Sequence, residues 1–229
     1  MYIMGISCFY HDAACALLKD GVLLAAAEEE RFTRIKQDPS FPINAIRFCL
    51  NHAGIAIEDI DYIGFYEKPL LKLERILSAQ MATFPLSYAV FLKAMPHWIK
   101  ERIWTPLLIE RELGYKREVL FIEHHLSHAA SAFLVSPFEK AALLTADAVG
   151  EWSTTAYGVG EGSRLRLICE MSFPHSLGLL YSAFTLHLGF RIHNDEYKVM
   201  GLAAYGDPCL LYTSPSPRDL STSRMPSSA

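Results

Sequence analysis

An α/β fold built from a repeated unit is predicted by three features of the sequence. An apolar strand, a polar corner, a tight turn and further apolar strands follow one another near the N-terminus, and the same order returns after residue 139. Helical patterns separate the two copies. The chain of 229 residues, 51% of them hydrophobic, is long enough to bury the core that such a fold needs.

The first copy occupies the N-terminal part of the chain. Strands are predicted over residues 2–9, 13–18 and 22–27. A polar corner, His11 and Asp12, separates the first two strands. An Asp-Gly turn joins the last two, and such a turn between apolar runs is a strong signal for a hairpin.

Helices and one more strand are predicted between the copies. The charged segment EEERFTRIKQD, residues 28–38, leaves the sheet, and its residues Glu28 to Glu30 and Arg31 are interpreted as a solvated charge run. A helix is predicted over 42–52 and a strand over 62–66, and residues 69–113 show a helical, aromatic pattern broken by prolines. The uncharged window 76–92 contains a proline and falls just short of the roughly 18 apolar residues of a membrane span, so it is interpreted as a buried helix.

The second copy repeats the layout of the first. Strands are predicted over 140–147, 153–159 and 165–173, with a polar corner at 147–151 and a turn at 160–162. Two such units separated by helices are the layout of an actin-like ATPase, a duplicated ribonuclease-H-like fold. Its two corners face each other and hold the phosphates of a nucleotide, and the small residues Ala148 and Gly150 would let backbone N–H groups approach them. An accidental repeat of two hairpins is the alternative.

A candidate metal site lies in the segment EHHLSHAASAFLVSPFEKAALLTAD. His124 and His128 stand four residues apart on a predicted helix, so both imidazoles can point at one centre. Asp147 ends a predicted strand and would deliver a carboxylate to the rim of the sheet. Two imidazoles and one carboxylate are a usual ligand set for a first-row divalent metal, with one position left open. From spacing alone, a polar helix face explains the histidine pair equally well.

Two weaker signals concern anion binding near the end of the chain. Lys198 and Gly201 fall at the start of a predicted helix in the block HNDEYKVMGLAAYGDP. A helix N-terminus and an ammonium group can hold an anion, although a lone lysine and glycine are also common at a solvated helix start.

Charge and cysteine usage limit the class of protein. A net charge of -4 shows no excess of basic residues, and this argues weakly against nucleic-acid binding. The five cysteines form no CxxC pair, and their number does not suit a disulfide framework. The N-terminus lacks the basic and apolar regions of a signal peptide. We therefore expect a cytoplasmic protein with neither a nucleic-acid nor a membrane partner; the oligomeric state is left open.

Four motifs, in this order and at these intervals, resemble the O-carbamoyltransferases of nodulation-factor and antibiotic pathways: SCFYHDAACALLKDGVLLAAAEEERFTRIKQD, HHLSHAASAF, TADAVGEWSTT and DEYKVMGLAAYG. The resemblance spans residues 1–208. It implies an actin-like domain similar to the tRNA threonylcarbamoyl transferases, followed by a YrdC-like domain. The YrdC-like domain would make a carbamoyl-adenylate from carbamoyl phosphate and ATP with Mg²⁺. The actin-like domain would then transfer the carbamoyl group to a hydroxyl of a small molecule or sugar.

The resemblance also implies roles for individual residues. His124, His128 and Asp147 match three ligands of a divalent metal, iron in the first place and zinc in the second, and a fourth ligand, an aspartate, is expected beyond this sequence. His11 matches a position near the carbamoyl group, where it could act as general base, and Lys36 could stabilise negative charge. The nucleotide-binding residues are expected to be Asp12, Gly150, Glu151, Lys198 and Gly201.

Two other functions are compatible with parts of the sequence. A tRNA-modifying transferase would carry an HxEGH helix and a basic face, whereas this sequence has HHLSH and a net negative charge. A non-enzymatic actin-like ATP-binding scaffold would need the phosphate corners but no histidine pair. Bound iron or zinc would count against the scaffold.

The C-terminal segment differs from the rest of the chain. Residues 209–229, CLLYTSPSPRDLSTSRMPSSA, are rich in serine and proline, as in a disordered linker. They also resemble the translation of a transposase-type sequencing adapter. We therefore expect a non-native tail on a fragment that lacks the fourth metal ligand, part of the second half of the fold and the YrdC-like domain, and that is inactive alone.

Overall fold

The computed structural model describes residues 1–100, 102–192 and 194–207. The chain divides into two compact units, residues 1–178 and 179–229. Both sheets and the candidate metal ligands lie in the first unit. The expected non-native tail, 209–229, lies outside the described residues.

The first sheet has five strands in the order β3-β2-β1-β4-β5. Their ranges are β1 Tyr2–Ser7, β2 Ala14–Lys19, β3 Val22–Glu28, β4 Tyr62–Phe65 and β5 Val119–Phe121. β2 is antiparallel to β1 and β3, while β1, β4 and β5 run parallel. This is the strand order of a ribonuclease-H-like unit.

The second sheet is an antiparallel meander of three strands, β6 Lys140–Ala146, β7 Ser153–Glu161 and β8 Arg164–Ser172. It repeats the arrangement of β1, β2 and β3, and the predicted actin-like α/β class is therefore confirmed. The predicted turn at 160–162 is shifted, because β7 continues through Glu161 and the left-handed turn residue is Gly162, with φ +59°.

Eight helices and two 3₁₀ turns connect the strands within the described residues. The helices are α1 Glu30–Thr33, α2 Ile43–Ala53, α3 Pro69–Ala82, α4 Tyr88–Lys100, α5 Thr105–Leu113, α6 His124–Phe133, α7 Leu177–His187 and α8 Glu196–Ala203. The 3₁₀ turns are Ile57–Asp59 and Arg102–Trp104. Among these helices, none combines the length and the apolarity needed to cross a membrane.

The core of the first unit lies between its sheet and α2. Alternate side chains of the central strands and one face of α2 are fully buried, among them Met4, Leu17, Ile46, Ile63 and Phe65. Each such side chain contributes about 1.5–3 kcal/mol of transfer free energy. The strands are thereby fixed, and so are the loops that leave their ends.

The interpretation of Glu28 to Glu30 and Arg31 as a solvated charge run is wrong for Glu29. Its side chain is buried, with 1% exposure. Its carboxylate accepts the backbone N–H groups of Asn44, at 3.1 Å, and Ala45, at 2.9 Å, at the start of α2. Helix N-termini leave N–H groups without partners and favour a negative charge. The helix that needs this carboxylate begins 14 residues later, so the segment by itself does not reveal the contact.

The prediction of one buried helix over 76–92 is also wrong. The chain forms α3 and α4 with a break at residues 83–87. Pro85 has no backbone N–H and restricts the residue before it, so helix geometry does not continue through this point. The side chains of Met81, Phe84 and Leu86 are 72%, 68% and 92% exposed.

Candidate functional site

Helix α6 begins where three parallel strands end. Two residues separate it from β5, which runs parallel to β4, as β4 does to β1. The loops that follow parallel strands meet at one edge of a sheet, where α/β folds bind ligands. The first corner, which follows β1, and His124 therefore share this edge.

The other end of α6 packs on the second sheet. The Phe133 side chain is 4% exposed, and its ring lies against Gly160 of β7. A Cβ atom at position 160 would lie 2.7 Å from that ring, so glycine is required there. This contact packs α6 on the second sheet, whose strand β6 ends directly before Asp147.

His124, His128 and Asp147 converge on one point, as the sequence predicts. His124 Nε2 lies 2.8 Å from Asp147 Oδ2 and 3.0 Å from His128 Nε2. The distance from His128 Nε2 to Asp147 Oδ2 is 3.8 Å. Ligand atoms about 2.0–2.1 Å from a tetrahedral ion would lie roughly 3.3 Å apart. The three distances bracket this value, and two imidazole nitrogens with one carboxylate oxygen suit a first-row divalent ion.

The surroundings of the three side chains also fit a cation. The hydrogen bond from His124 and the nearby His128 imidazole hold the pKa of Asp147 well below its usual range, so its carboxylate remains ionised. His124 Nδ1 is buried and has no hydrogen-bond partner among the described residues, which leaves Nε2 as the nitrogen that faces the other two groups. The His128 side chain is 50% exposed and that of His124 13%, so the site is open on the His128 side.

The second corner fixes the direction of the Asp147 side chain. The backbone N–H of Ala148 donates to Asp147 Oδ1 at 2.7 Å, and this turns Oδ2 toward the histidines. Gly150 lies against His124, where a Cβ atom would meet the Cβ of the histidine at 3.0 Å. The predicted small residue is therefore present because the imidazole approaches the corner closely. Its predicted contact with a phosphate stays a prediction.

A glycine that the sequence analysis missed closes the other side of this corner. A Cβ atom at Gly178, in the first turn of α7, would lie 2.5 Å from the carbonyl oxygen of Asp147. Ser176 Oγ donates to the carbonyl oxygen of Ala148 at 2.7 Å. The sequence signal that could have identified Gly178 is its place within the otherwise helical pattern SLGLLYS. A glycine in such a pattern often marks a close approach of two backbones.

Glu151 holds the start of α6 in place. Its carboxylate, 6% exposed, accepts the His124 backbone N–H with both oxygens at 3.1 Å and the Lys68 backbone N–H at 2.8 Å. The N-cap residue Glu123 makes no capping hydrogen bond, and its side chain accepts from Lys68 Nζ at 2.7 Å. Glu151 thus joins the second corner, α6 and the segment after β4. Its expected role in nucleotide binding stays a prediction.

Replacing Glu151 with glutamine is expected to weaken metal binding about 10–100-fold, as loss of an outer-shell partner typically does. An amide can accept with one oxygen only, so its NH₂ group would face a backbone donor. Titration with a chelator as competitor would measure the change, and Glu161→Gln, an exposed site on β7, is the matched control. Equal affinities for Glu151→Gln and the unaltered protein would contradict this role.

His125, between the two predicted ligands, is a second residue that the sequence analysis missed. It is 2% exposed; its Nε2–H donates to the Ser153 carbonyl at 3.0 Å and its Nδ1 accepts from Thr145 Oγ1 at 2.7 Å. Burial lowers its pKa, so the ring is neutral and ties α6 to β6 and β7. The sequence shows only three histidines within five residues, which does not distinguish a structural ring from a ligand.

The first corner carries His11 and Asp12 at the surface. Asp12 Oδ2 accepts the Nδ1–H of His11 at 2.7 Å, and the two side chains are 49% and 42% exposed. Because a carboxylate can only accept, the proton of a neutral His11 ring lies on Nδ1, and Nε2 carries the free lone pair. Asp12 has the left-handed φ of 52°, which places the two side chains side by side.

Tyr66 connects the first corner with the histidine pair. Its hydroxyl donates to the Cys8 carbonyl at 3.1 Å, and its ring lies edge-on to that of His124, 5.7 Å between centroids. Burial raises the pKa of the hydroxyl, so this group keeps its proton at neutral pH and acts as a hydrogen-bond donor. The partly buried Tyr66 side chain therefore lies between the Cys8 carbonyl, at the end of β1, and the His124 ring.

The remaining predicted site residues lie in two places. Lys36 is exposed on the segment that follows α1. Lys198 and Gly201 are in α8 of the C-terminal unit, where Lys198 Nζ donates to Asp195 Oδ1 at 2.7 Å and Gly201 has open space beside it. The predicted position of Gly201 at a helix start is wrong, because α8 begins at Glu196 and Gly201 is its sixth residue. The predicted roles of all three residues in catalysis and nucleotide binding stay predictions.

The chain is similar to proteins of one family over most of its length. A family model described as "Carbamoyltransferase N-terminus" matches residues 2–214. The chain is 51% identical over 215 residues to "Uncharacterized protein sll1178" of Synechocystis sp., covering 90% of this chain and 35% of that protein. It is 38% identical over 207 residues to "Nodulation protein NolNO" of Sinorhizobium fredii, covering 87% of this chain and 28% of that protein. It thus spans about a third of the length of these relatives.

Among solved structures, YeaZ from Pseudomonas aeruginosa matches with a TM-score of 0.43 and 16% sequence identity. The match covers 76% of this chain and 69% of that one.

Proposed function

The chain belongs to the carbamoyltransferase N-terminal family, and we propose that it forms the part of an O-carbamoyltransferase that transfers a carbamoyl group to a hydroxyl group. The observation that supports this most is the convergence of His124, His128 and Asp147 on one point. Because the chain covers only 35% and 28% of its relatives, the activity of the whole protein is part of the proposal.

The proposed donor is a carbamoyl-adenylate formed from carbamoyl phosphate and ATP elsewhere in the full-length protein. A bond forms between the acceptor oxygen and the carbamoyl carbon, and the bond from that carbon to the phosphate oxygen breaks, with AMP leaving. A divalent ion held by the two histidines and Asp147, iron or zinc, would supply Lewis-acid chemistry. Membership of the family supports the transfer of a carbamoyl group, and the hydroxyl acceptor and the adenylate are further parts of the proposal.

His11 is proposed to take the proton of the acceptor hydroxyl. Its Nδ1–H is held by Asp12, so Nε2 is the basic atom, and an imidazole suits general-base work near neutral pH. The ring is about half exposed, which leaves it accessible to a bound acceptor. Lys36 is proposed to stabilise the negative charge of the departing AMP or of the carbamoyl oxygen.

An alternative function, a non-enzymatic ATP-binding scaffold, would require only the phosphate corners. It gives no reason for two imidazoles and a carboxylate to converge, nor for the glycines that let them approach. Stoichiometric iron or zinc in the purified protein would count against it.

The experiment that tests the proposed function separates the two half-reactions in the full-length protein. With Lys36 replaced by alanine, we expect ATP turnover dependent on carbamoyl phosphate to continue, while transfer to an acceptor slows about 10²–10³-fold, because charge stabilisation in the transfer step is lost. The matched control is Lys116→Ala, an exposed lysine after α5. Loss of ATP turnover in Lys36→Ala would show that the division of roles is wrong.

A further inference from the structure

We propose that Arg75 of α3 is a positioning residue for the candidate metal site, and that its buried guanidinium holds the second corner and Glu151 in the place from which they orient His124. The inference rests on the metal site of the proposed function. It also gives a role to the start of the helical segment between β4 and β5, which carries no recognisable catalytic motif.

Three basic residues lie on one face at the start of α3. Lys68 is the N-cap residue of this helix, and Lys72 and Arg75 follow it at intervals of four and three residues. Side chains at these intervals are neighbours on a helix surface. Three residues separate α3 from β4, so the helix starts at the edge of the first sheet that the first corner and α6 share.

The first two of these cations contact the elements around the site. Lys68 Nζ donates to Glu123 Oε1 at 2.7 Å, at the N-terminus of α6. Lys72 Nζ donates to Glu67 Oε2 and lies 5.7 Å from the centre of the Tyr10 ring, next to the first corner. Each of the two lysines therefore has a carboxylate partner.

Arg75 is the third cation, and no carboxylate of the described residues forms an ion pair with it. It is 8% exposed, and its guanidinium lies over the Phe173 ring, 5.4 Å from the centroid. Its Nε is buried and has no hydrogen-bond partner in the described part of the chain. A buried charge is costly unless an opposite charge compensates it, so Arg75 depends on a carboxylate that it does not touch.

Glu151 is the matching charge. It is 6% exposed, its carboxylate accepts from backbone N–H groups, and no described lysine or arginine forms an ion pair with it. Burial lowers the pKa of the Arg75 guanidinium, and the electrostatic attraction of Glu67 and Glu151 acts in the opposite direction. An arginine keeps its charge in proteins, so the attraction persists. Because Glu67 already pairs with Lys72, Glu151 is the carboxylate that depends on Arg75.

The contact with Phe173 joins this charge to the second corner. The Phe173 backbone N–H donates to the Trp152 carbonyl at 2.8 Å, and Trp152 directly follows Glu151. Glu151 accepts the backbone N–H of His124, whose Nε2 lies 2.8 Å from Asp147 Oδ2. Without the guanidinium, the second corner loses its contact with α3 and the carboxylate loses its counter-charge. We therefore expect the start of α6 to shift relative to the second corner.

The test uses the full-length protein, stripped of metal and titrated with Co²⁺ alone. Arg75→Met removes the charge at similar volume and is expected to weaken Co²⁺ binding about tenfold, the lower end of the loss for an outer-shell partner, because Arg75 acts one contact further out. The d–d absorption band of the bound Co²⁺ should shift with it. Arg75→Lys keeps the charge and should lose at most about threefold. The matched control is Arg111→Met, the same change at an arginine whose side chain is 73% exposed.

A double variant tests the route through Glu151. Once Glu151→Gln has removed the carboxylate charge, Arg75→Met should cause little further loss of Co²⁺ affinity, because residues that act through one another have non-additive effects. Additive losses would show that Arg75 does not act through Glu151, and they would overturn the proposal.

A purely structural role for Arg75 gives a different result. It would lower the free energy of unfolding and leave the Co²⁺ affinity and absorption band of the folded protein unchanged, which overturns the proposal. If Arg75→Met does not fold, Phe173→Leu tests the same contact from the other side, and an unchanged Co²⁺ affinity in that variant also overturns it. No Co²⁺ binding by the unaltered protein would refute the metal site together with the inference. Tight binding that Arg75→Met does not change refutes the inference alone and leaves the proposed function standing.

Discussion

Replacement of His128 by alanine is expected to abolish high-affinity binding of a divalent ion, while the unaltered full-length protein holds one ion per chain. His128 Nε2 lies 3.0 Å from His124 Nε2, and the two rings with Asp147 form the only three-residue cluster of potential metal ligands within the described residues. Removal of an outer-shell partner alone weakens metal binding about 10–100-fold, so the loss of a ligand should exceed a hundredfold.

The measurement is metal content by mass spectrometry after dialysis, with affinity from chelator competition. The His128 side chain is 50% exposed, so its truncation leaves the core intact, and unchanged circular dichroism would verify this. His52→Ala is the matched control, since His52 is an exposed histidine on α2. Unchanged metal content in the His128→Ala protein would refute the site.

Local sequence signals were sufficient for the strands and for the ligand cluster. The hairpins followed from turn chemistry between apolar runs, and their repetition indicated the fold class. The spacing of His124 and His128 and the position of Asp147 at a predicted strand end pointed to one centre, but spacing alone did not distinguish that centre from a polar helix face. Each of these signals depends on residues that are neighbours in sequence or on the regular geometry of one element.

The residues that the sequence did not reveal act across the fold. Glu29 serves a helix that begins 14 residues later, and Glu151 accepts from backbone groups 27 and 83 residues away. From the sequence alone, an acidic residue in a charged segment that caps a distant helix cannot be distinguished from one that is solvated. Strand β5 was missed because three residues, Val119–Phe121, carry too little alternation to be recognised.

The substitution Gly178→Ala is expected to damage both stability and the metal site. A Cβ atom at this position would lie 2.5 Å from the Asp147 carbonyl oxygen and 2.6 Å from the Ala148 backbone nitrogen. Both atoms are backbone, so the clash cannot be relieved by a side-chain rotation, and either α7 or the second corner must move. Overpacking of this kind costs about 1–3 kcal/mol, and we expect a value near the upper limit.

The matched control for this substitution is Gly5→Ala, because a Cβ atom at Gly5 of β1 meets nothing within 4 Å. Denaturant unfolding and chelator competition on both variants give stability and metal affinity separately. If the corner moves, Asp147 Oδ2 leaves its position 2.8 Å from His124 Nε2, and metal affinity falls together with stability. If α7 moves instead, stability falls while the affinity is retained. A Gly178→Ala protein as stable as Gly5→Ala would show that the close approach of α7 to the corner is not required, and that the geometry of Asp147 is set by its own strand and turn alone.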